Sequence, residues 1–280
     1  MKKEYIYKFY KSISSHFFLI AISLMTIIPI ITCLFASSKS DAEFAATSKI
    51  QPPDNWLYFD NYLYIINNKN FIKAFFITIG LAVAAAMVSV MLTAMLAYAL
   101  NRLKFKGAKI IQYFVLIFNI VPAIMMQVSV YKSMLFLNLV NTLHGYIILM
   151  SGINIIPLYI FMQYFKNTPT SYDDDALLNG CSYIGAFFRI HIPMMLPAIV
   201  TAVLIEGIYV FNDYYLSGLY LQDKDKFATV SNILYSFTGP YGNKYNLISA
   251  GVIMSIIPML IIFMIFQKRI YNSINGTLHI

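Results

Sequence analysis

The sequence predicts an all-α polytopic membrane protein with six transmembrane helices. Three observations predict it. Of 280 residues, 59% are hydrophobic and only 11% charged, against roughly a quarter charged in a soluble domain, which leaves too little charge for a hydrated shell. Several apolar runs each reach the length of about 20 residues that crosses a bilayer. The net charge of +8 sits in short patches between those runs instead of on one basic face, so it marks membrane ends and not a nucleic-acid partner.

Each span follows from its run and its flanks. The first covers about 17–35, behind Lys2, Lys3, Lys8 and Lys11. It is longer than the apolar part of a signal peptide and more spans follow, so an uncleaved helix is expected. Cys33 is read as an ordinary helix residue, because Thr32 before it fits a lipidation box poorly. Cys33 and Cys181 fit no metal or redox spacing. From Ser37 to Lys73, with Pro52, Pro53, Trp56 and several tyrosines, an interfacial loop is expected.

The second span, about 74–100, is rich in alanine, and small residues let helices approach closely. Arg102, Lys104, Lys106 and Lys109 follow without an acid, which marks that loop as cytoplasmic. The third span, about 110–131, is broken by Pro122, and the fourth, about 143–165, by Pro157. The fifth covers about 198–219. A polar loop with Asp223 to Lys226 and a Gly239-Pro240 turn precedes the sixth, about 247–266. The expectation is one domain over 1–280, with no repeat and both termini cytoplasmic.

The segment 166–197 is amphipathic instead of uniformly apolar. Asp173, Asp174 and Asp175 lie near the start of a short helix, where the helix dipole favours acid. Ala176 and Leu177 continue it, Asn179 and Gly180 allow a turn, and Pro193 and Pro197 stop a second short helix before span five. By physics alone, a docking knob and a plain connecting loop are both open.

The spacing resembles the EAA coupling loop of ABC importer permeases. Asp174 falls at the family glutamate, Ala176 at its second alanine, Gly180 at its glycine and Pro193 at its proline. Asp175, Asn179 and Cys181 depart from the pattern. Ala97-Tyr98-Ala99-Leu100-Asn101-Arg102 with Phe105-Lys106-Gly107 looks like the end of span two in sugar-type permeases. Pro122, Asn141-Thr142 and Asn212-Asp213 occupy places typical of that family, although Phe211 replaces a tryptophan and Ile77-Thr78 replaces Asn-Ser. The chain resembles in particular the smaller permease of maltose-type importers.

The resemblance implies a type I ABC importer permease fold with a cytoplasmic coupling helix, in a bacterial cytoplasmic (inner) membrane. It implies a second permease subunit, two ATPase subunits and an extracellular or periplasmic sugar-binding protein. Asp173, Asp174, Asp175, Ala176, Leu177, Asn179, Gly180 and Pro193 would then couple to the ATPase, with Asp174 as the first choice for its cationic contact. The chain has no phosphate loop, so it is expected to be no enzyme, with no catalytic residue, metal or cofactor of its own; the partner ATPase would bind ATP and Mg.

Glu206 is the acid placed well inside a span, where a charge is costly. Pore lining and pairing with the partner permease both remain open for it. Tyr209, Asn119 and Asn154 are weaker pore candidates. Asn212 and Asp213 would lie at an outer gate or binding-protein dock. The near absence of Arg and Lys from the spans favours a neutral sugar over glycerol phosphate or a sugar acid. One intramembrane acid and no repeat argue against a secondary transporter, and a non-transporting scaffold is the other rival.

Overall fold

The computed structural model describes residues 2–103, 105–239 and 243–276. Lys104 and Pro240, both used above, lie outside the described residues. In chain order the elements are α1 (Lys2–Ser37), α2 (Asp41–Ala46), α3 (Asp60–Asn67), α4 (Lys69–Arg102), α5 (Ala108–Ile120), α6 (Ala123–Phe136), α7 (Leu143–Met150), α8 (Ile155–Asn167), α9 (Ser171–Leu178) and α10 (Tyr183–Ala186). A π-helical turn (Phe187–His191) follows, then α11 (Ile192–Met194), α12 (Leu196–Asn212), α13 (Tyr215–Tyr220), α14 (Lys224–Phe227), α15 (Val230–Ser236) and α16 (Tyr245–Gly276). No strand occurs among the described residues.

Three stretches are long and apolar enough to cross a bilayer unaided: Ser15–Ser37, Lys69–Arg102 and Tyr245–Gln267. Three bent pairs bring the possible total to six. The bend between α5 and α6 is 100° and falls at Pro122, as the sequence predicts. The bend between α7 and α8 is 54°, but it falls at residues 151–154 and not at Pro157. Pro157 lies in the first turn of α8, where a missing N–H disturbs no helical bond. The expected fifth span, 198–219, also divides. Asp213 ends α12 and a separate α13 follows.

The Cα packing groups the chain into two units, 1–69 with 234–258 and 70–233 with 259–280. In the first, the expected interfacial loop is ordered by buried polar side chains. Asn61 donates to the carbonyls of Ser37 (2.9 Å) and Lys39 (2.8 Å). Asn246 donates to Asp41 (2.6 Å), and the buried Lys39 ammonium to Thr47 (2.9 Å) and the Ser48 carbonyl (3.1 Å). These bonds satisfy backbone groups that a buried loop would otherwise leave unpaired.

In the second unit α4 is the central helix. Its buried residues recur at steps of three and four, as in Ala74, Thr78, Leu81, Ala85, Ser89, Thr93 and Ala97. That spacing makes one helical face, and its small side chains allow close approach. Thr78 and Thr93 return their hydroxyls to carbonyls one turn back, at 2.7 Å each. Leu81, Ala82 and Ala85 pack with Met134, Tyr146 and Val210. Nearer the Arg102 end, Ala94, Ala97 and Tyr98 pack with Phe161, Phe165, Phe187 and Met195. This second cluster is the seat of the acidic segment.

Candidate functional site

The acidic segment forms α9, with Asp173 and Asp174 in its first turn. Helical spacing puts Asp173 and Ala176 on the inner face, and both are buried. Asp174, Asp175, Asn179 and Gly180 are exposed, Leu177 is half-buried, and Leu178 is 86% exposed.

The helix ends as the sequence predicts. The Cys181 N–H donates to the Ala176 carbonyl (2.9 Å) and the Gly180 N–H to the Leu177 carbonyl (3.0 Å). This pair is a Schellman motif, and it needs a left-handed residue at Gly180, whose φ is 78°. Ser182 then caps α10 by accepting from the Gly185 N–H at 3.1 Å. Ile184 and Phe188 are exposed beyond it. The result is a knob with acid and apolar groups side by side, the composition of a protein-docking surface.

The second short helix is not stopped by Pro193. It passes through the π-helical turn and α11, and the chain bends by 81° only before α12. In the π-helical turn the Ile192 N–H reaches back to the Phe187 carbonyl. The widened turn accommodates Pro193, which has no N–H to offer and would clash with the carbonyl four residues back in a regular helix. Pro197 falls in the first turn of α12.

Beneath the knob, Asp173 is 4% exposed and its side chain is directed into the chain. Tyr98 donates its hydroxyl to Oδ1 at 2.9 Å. His191 Nε2 lies 2.9 Å from the same oxygen, and donating from there leaves Nδ1 as a lone pair. Arg102 Nε stands 3.0 Å from Oδ2, an ion pair by distance whose N–H points off the line to the oxygen. A terminal guanidinium nitrogen of Arg102 donates to the Thr168 carbonyl at 2.6 Å. Asp173, named above as one of the coupling acids, therefore does not reach the surface. Tyr98 and Arg102 were quoted from the sequence without a role at this site, and His191 was not singled out. The available signal was their register, since Tyr98 and Arg102 are one turn apart on one helix face.

The structure brings together two of the four pore candidates. Asn154 hydrogen-bonds the Glu206 side chain while capping α8 through the Ile156 N–H. Glu206 is 2% exposed, and its Oε1 has no partner among the described residues. Tyr209, three residues along α12, is exposed. Asn119, exposed on α5, donates to the Val115 carbonyl of its own helix. At the other end of α12, Asn212 is exposed and Asp213 is not free. It accepts from the Tyr146 hydroxyl (2.8 Å) and from the N–H groups of Leu216 (3.1 Å) and Ser217 (2.6 Å), capping α13.

Comparison with known proteins agrees with this architecture. Residues 89–276 match the family described as the binding-protein-dependent transport system inner membrane component. The arabinooligosaccharides transport system permease protein AraQ of Bacillus subtilis is 30% identical over 259 residues, covering 92% of each chain. The diacetylchitobiose uptake system permease protein NgcG of Streptomyces coelicolor is 27% identical, over 93% of this chain and 86% of that one. In fold, the chain resembles a crystal structure of a bacterial ABC transporter involved in the import of the acidic polysaccharide alginate. The TM-score is 0.76 at 21% identity, over 92% of this chain and 95% of that chain. With bent apolar helices ending in an acidic, Schellman-capped knob, the chain belongs to the family of binding-protein-dependent transport system inner membrane components, as a multi-pass, non-enzymatic permease subunit of an ABC importer.

Proposed function

We propose that this chain forms half of a translocation pore for a sugar or oligosaccharide, and that the knob from α9 to the π-helical turn docks on an ATPase subunit. Two relatives named for arabinooligosaccharide and diacetylchitobiose uptake support the substrate class. The observation that carries the docking reading is the outward set Asp174, Asp175, Leu178 and Ile184 on a rigid turn. Asp174 and Asp175 offer carboxylates to a cationic partner, and Leu178 and Ile184 supply the desolvated contact.

The remaining machine is a second permease, two ATPase subunits holding ATP and Mg, and an extracellular sugar-binding protein. The knob and both termini face the cytosol, and Asn212 faces the outer mouth. Closure of the ATPase pair moves the knob and shifts the pore between two access states.

Leu178→Cys should cross-link to an ATPase subunit in native membranes. The partner binding protein should retain a neutral saccharide on purification. Labelling of Leu178→Cys from outside the cell would overturn the docking reading. A phosphorylated or uronate ligand would overturn the substrate reading.

A further inference from the structure

We infer that Asp173 is the positioning residue of the knob: it locks α9 to the Arg102 end of α4 and to the turn that feeds α12, so that these parts move as one body. The inference rests on the docking reading above and assigns Asp173 no contact with the ATPase.

One carboxylate joins elements far apart in sequence. Tyr98 and Arg102 come from α4, and His191 comes from the π-helical turn. Through Arg102 the tie extends to Thr168 at the end of α8. Asp173 and His191 are buried, and the Arg102 side chain is 6% exposed, so water does not compete for these bonds. Aromatic rings enclose the cluster. Tyr98 lies 5.5 Å from Phe165 and 5.3 Å from Phe187, and the His191 ring lies 5.2 Å from both Tyr98 and Phe165.

Packing alone does not account for this arrangement. Well-packed apolar residues would hold the helices as firmly as a buried ion pair. Instead His191 keeps Nδ1 buried without a partner among the described residues, a cost accepted for the bond its Nε2 makes to Asp173. What a carboxylate bonded through Oδ1 to Tyr98 and His191 and ion-paired with Arg102 adds is a single relative geometry for α4, α9 and the approach to α12. A knob that slid on the helices above it would absorb the motion of a docked ATPase. A knob locked to α4 delivers that motion to the helix at the centre of its unit.

The test measures the distance between spin labels at Met95→Cys on α4 and Tyr172→Cys on α9, with Cys33 and Cys181 replaced by serine. Both label sites are exposed. The importer complex is measured without nucleotide and with Mg-ATP plus vanadate. The parent should give one narrow distance in both states. Asp173→Asn should broaden it and make it shift with nucleotide, and should lower the melting temperature, because Arg102 is left without its counter-charge. Pairing Asp173→Asn with Arg102→Met removes the unpaired charge and should recover much of the melting temperature, yet the distance should stay broad. Tyr98→Phe severs a single tie and should broaden it less.

A double variant with the parent's narrow distance in both states would overturn the inference, and so would an unchanged distance in Tyr98→Phe if the double variant does not assemble. Failure of the docking reading is separately visible, as absence of the Leu178→Cys cross-link to an ATPase subunit in the parent protein.

Discussion

Asp173 and Asp174 are adjacent in sequence and face opposite ways: Asp173 is buried against Tyr98, Arg102 and His191, while Asp174 is exposed beside Asp175. The division follows from the helix, whose successive residues are rotated by about 100°. An inner acid can therefore hold the fold while its neighbour is free to meet a partner.

Substitutions at the two acids should separate stability from docking. Asp173→Ala leaves Arg102 buried without its counter-charge, at a cost of about 3–5 kcal/mol. A melting curve in detergent should show a large drop. Asp174→Asn should leave the melting curve nearly unchanged and weaken capture of the ATPase subunit in a pull-down. A large melting shift for Asp174→Asn would contradict the outward placement.

Gly180 is constrained by its backbone and not by its neighbours. Its φ of 78° is unfavourable for a residue with a Cβ, yet an added Cβ would meet nothing within 4 Å. Gly180→Ala should therefore cost about 1–2 kcal/mol, with near-normal membrane levels and lost transport as the knob is misaligned. Gly180→Asn should keep more transport, because asparagine tolerates the left-handed region. Equal loss of protein and transport in Gly180→Ala would point to a folding role.

Gly145 is the opposite case. An added Cβ would lie 2.0 Å from the Leu139 carbonyl oxygen and 2.7 Å from Thr142 Oγ1, so backbone must move. Gly145→Ala should destabilise by about 2–3 kcal/mol. At Gly207, in α12, an added Cβ meets nothing within 4 Å. Gly207→Ala should be neutral or stabilising by up to about 1 kcal/mol, since alanine favours the helix. Thermal shifts of the purified permease compare the two directly.

Asn154 and Asn119 differ in what their amides hold. Asn154→Ala removes both the α8 cap and the partner of the buried Glu206, for a cost of about 2–3 kcal/mol. Asn119→Ala removes one exposed bond within its own helix and should stay within about 0.5 kcal/mol. Equal melting temperatures for the two variants would refute the Asn154–Glu206 pairing.

Much of the architecture was legible from local information. Apolar runs located the candidate spans, Pro122 located a bend, and Gly180 after Ala176-Leu177-Leu178 located the helix end. These depend on hydropathy and on the backbone preferences of single residues, which neighbours in sequence report. Where a local rule had two outcomes, the reading failed. Pro157 was taken as a break but opens α8, because a proline is equally at home in a first helical turn. Pro193 and Pro197 were taken together to stop the second short helix; the π-helical turn carries it one residue past Pro193, to Met194, and the bend comes before Pro197. The run 198–219 was taken as continuous, but Asp213 spends its carboxylate capping α13.

By itself the sequence determined the membrane class, the approximate spans, the acidic Schellman-capped helix and the permease resemblance, because composition and short-range spacing carry that information. Only the tertiary structure decided which aspartate turns inward, that Tyr98, Arg102 and His191 converge on it, and that Asn154 meets Glu206. Asp173 and His191 are 18 residues apart and Tyr98 and Asp173 are 75 apart. No local propensity encodes a bond across such separations. It exists only once α4, α8 and α12 have packed and removed water from the space between them.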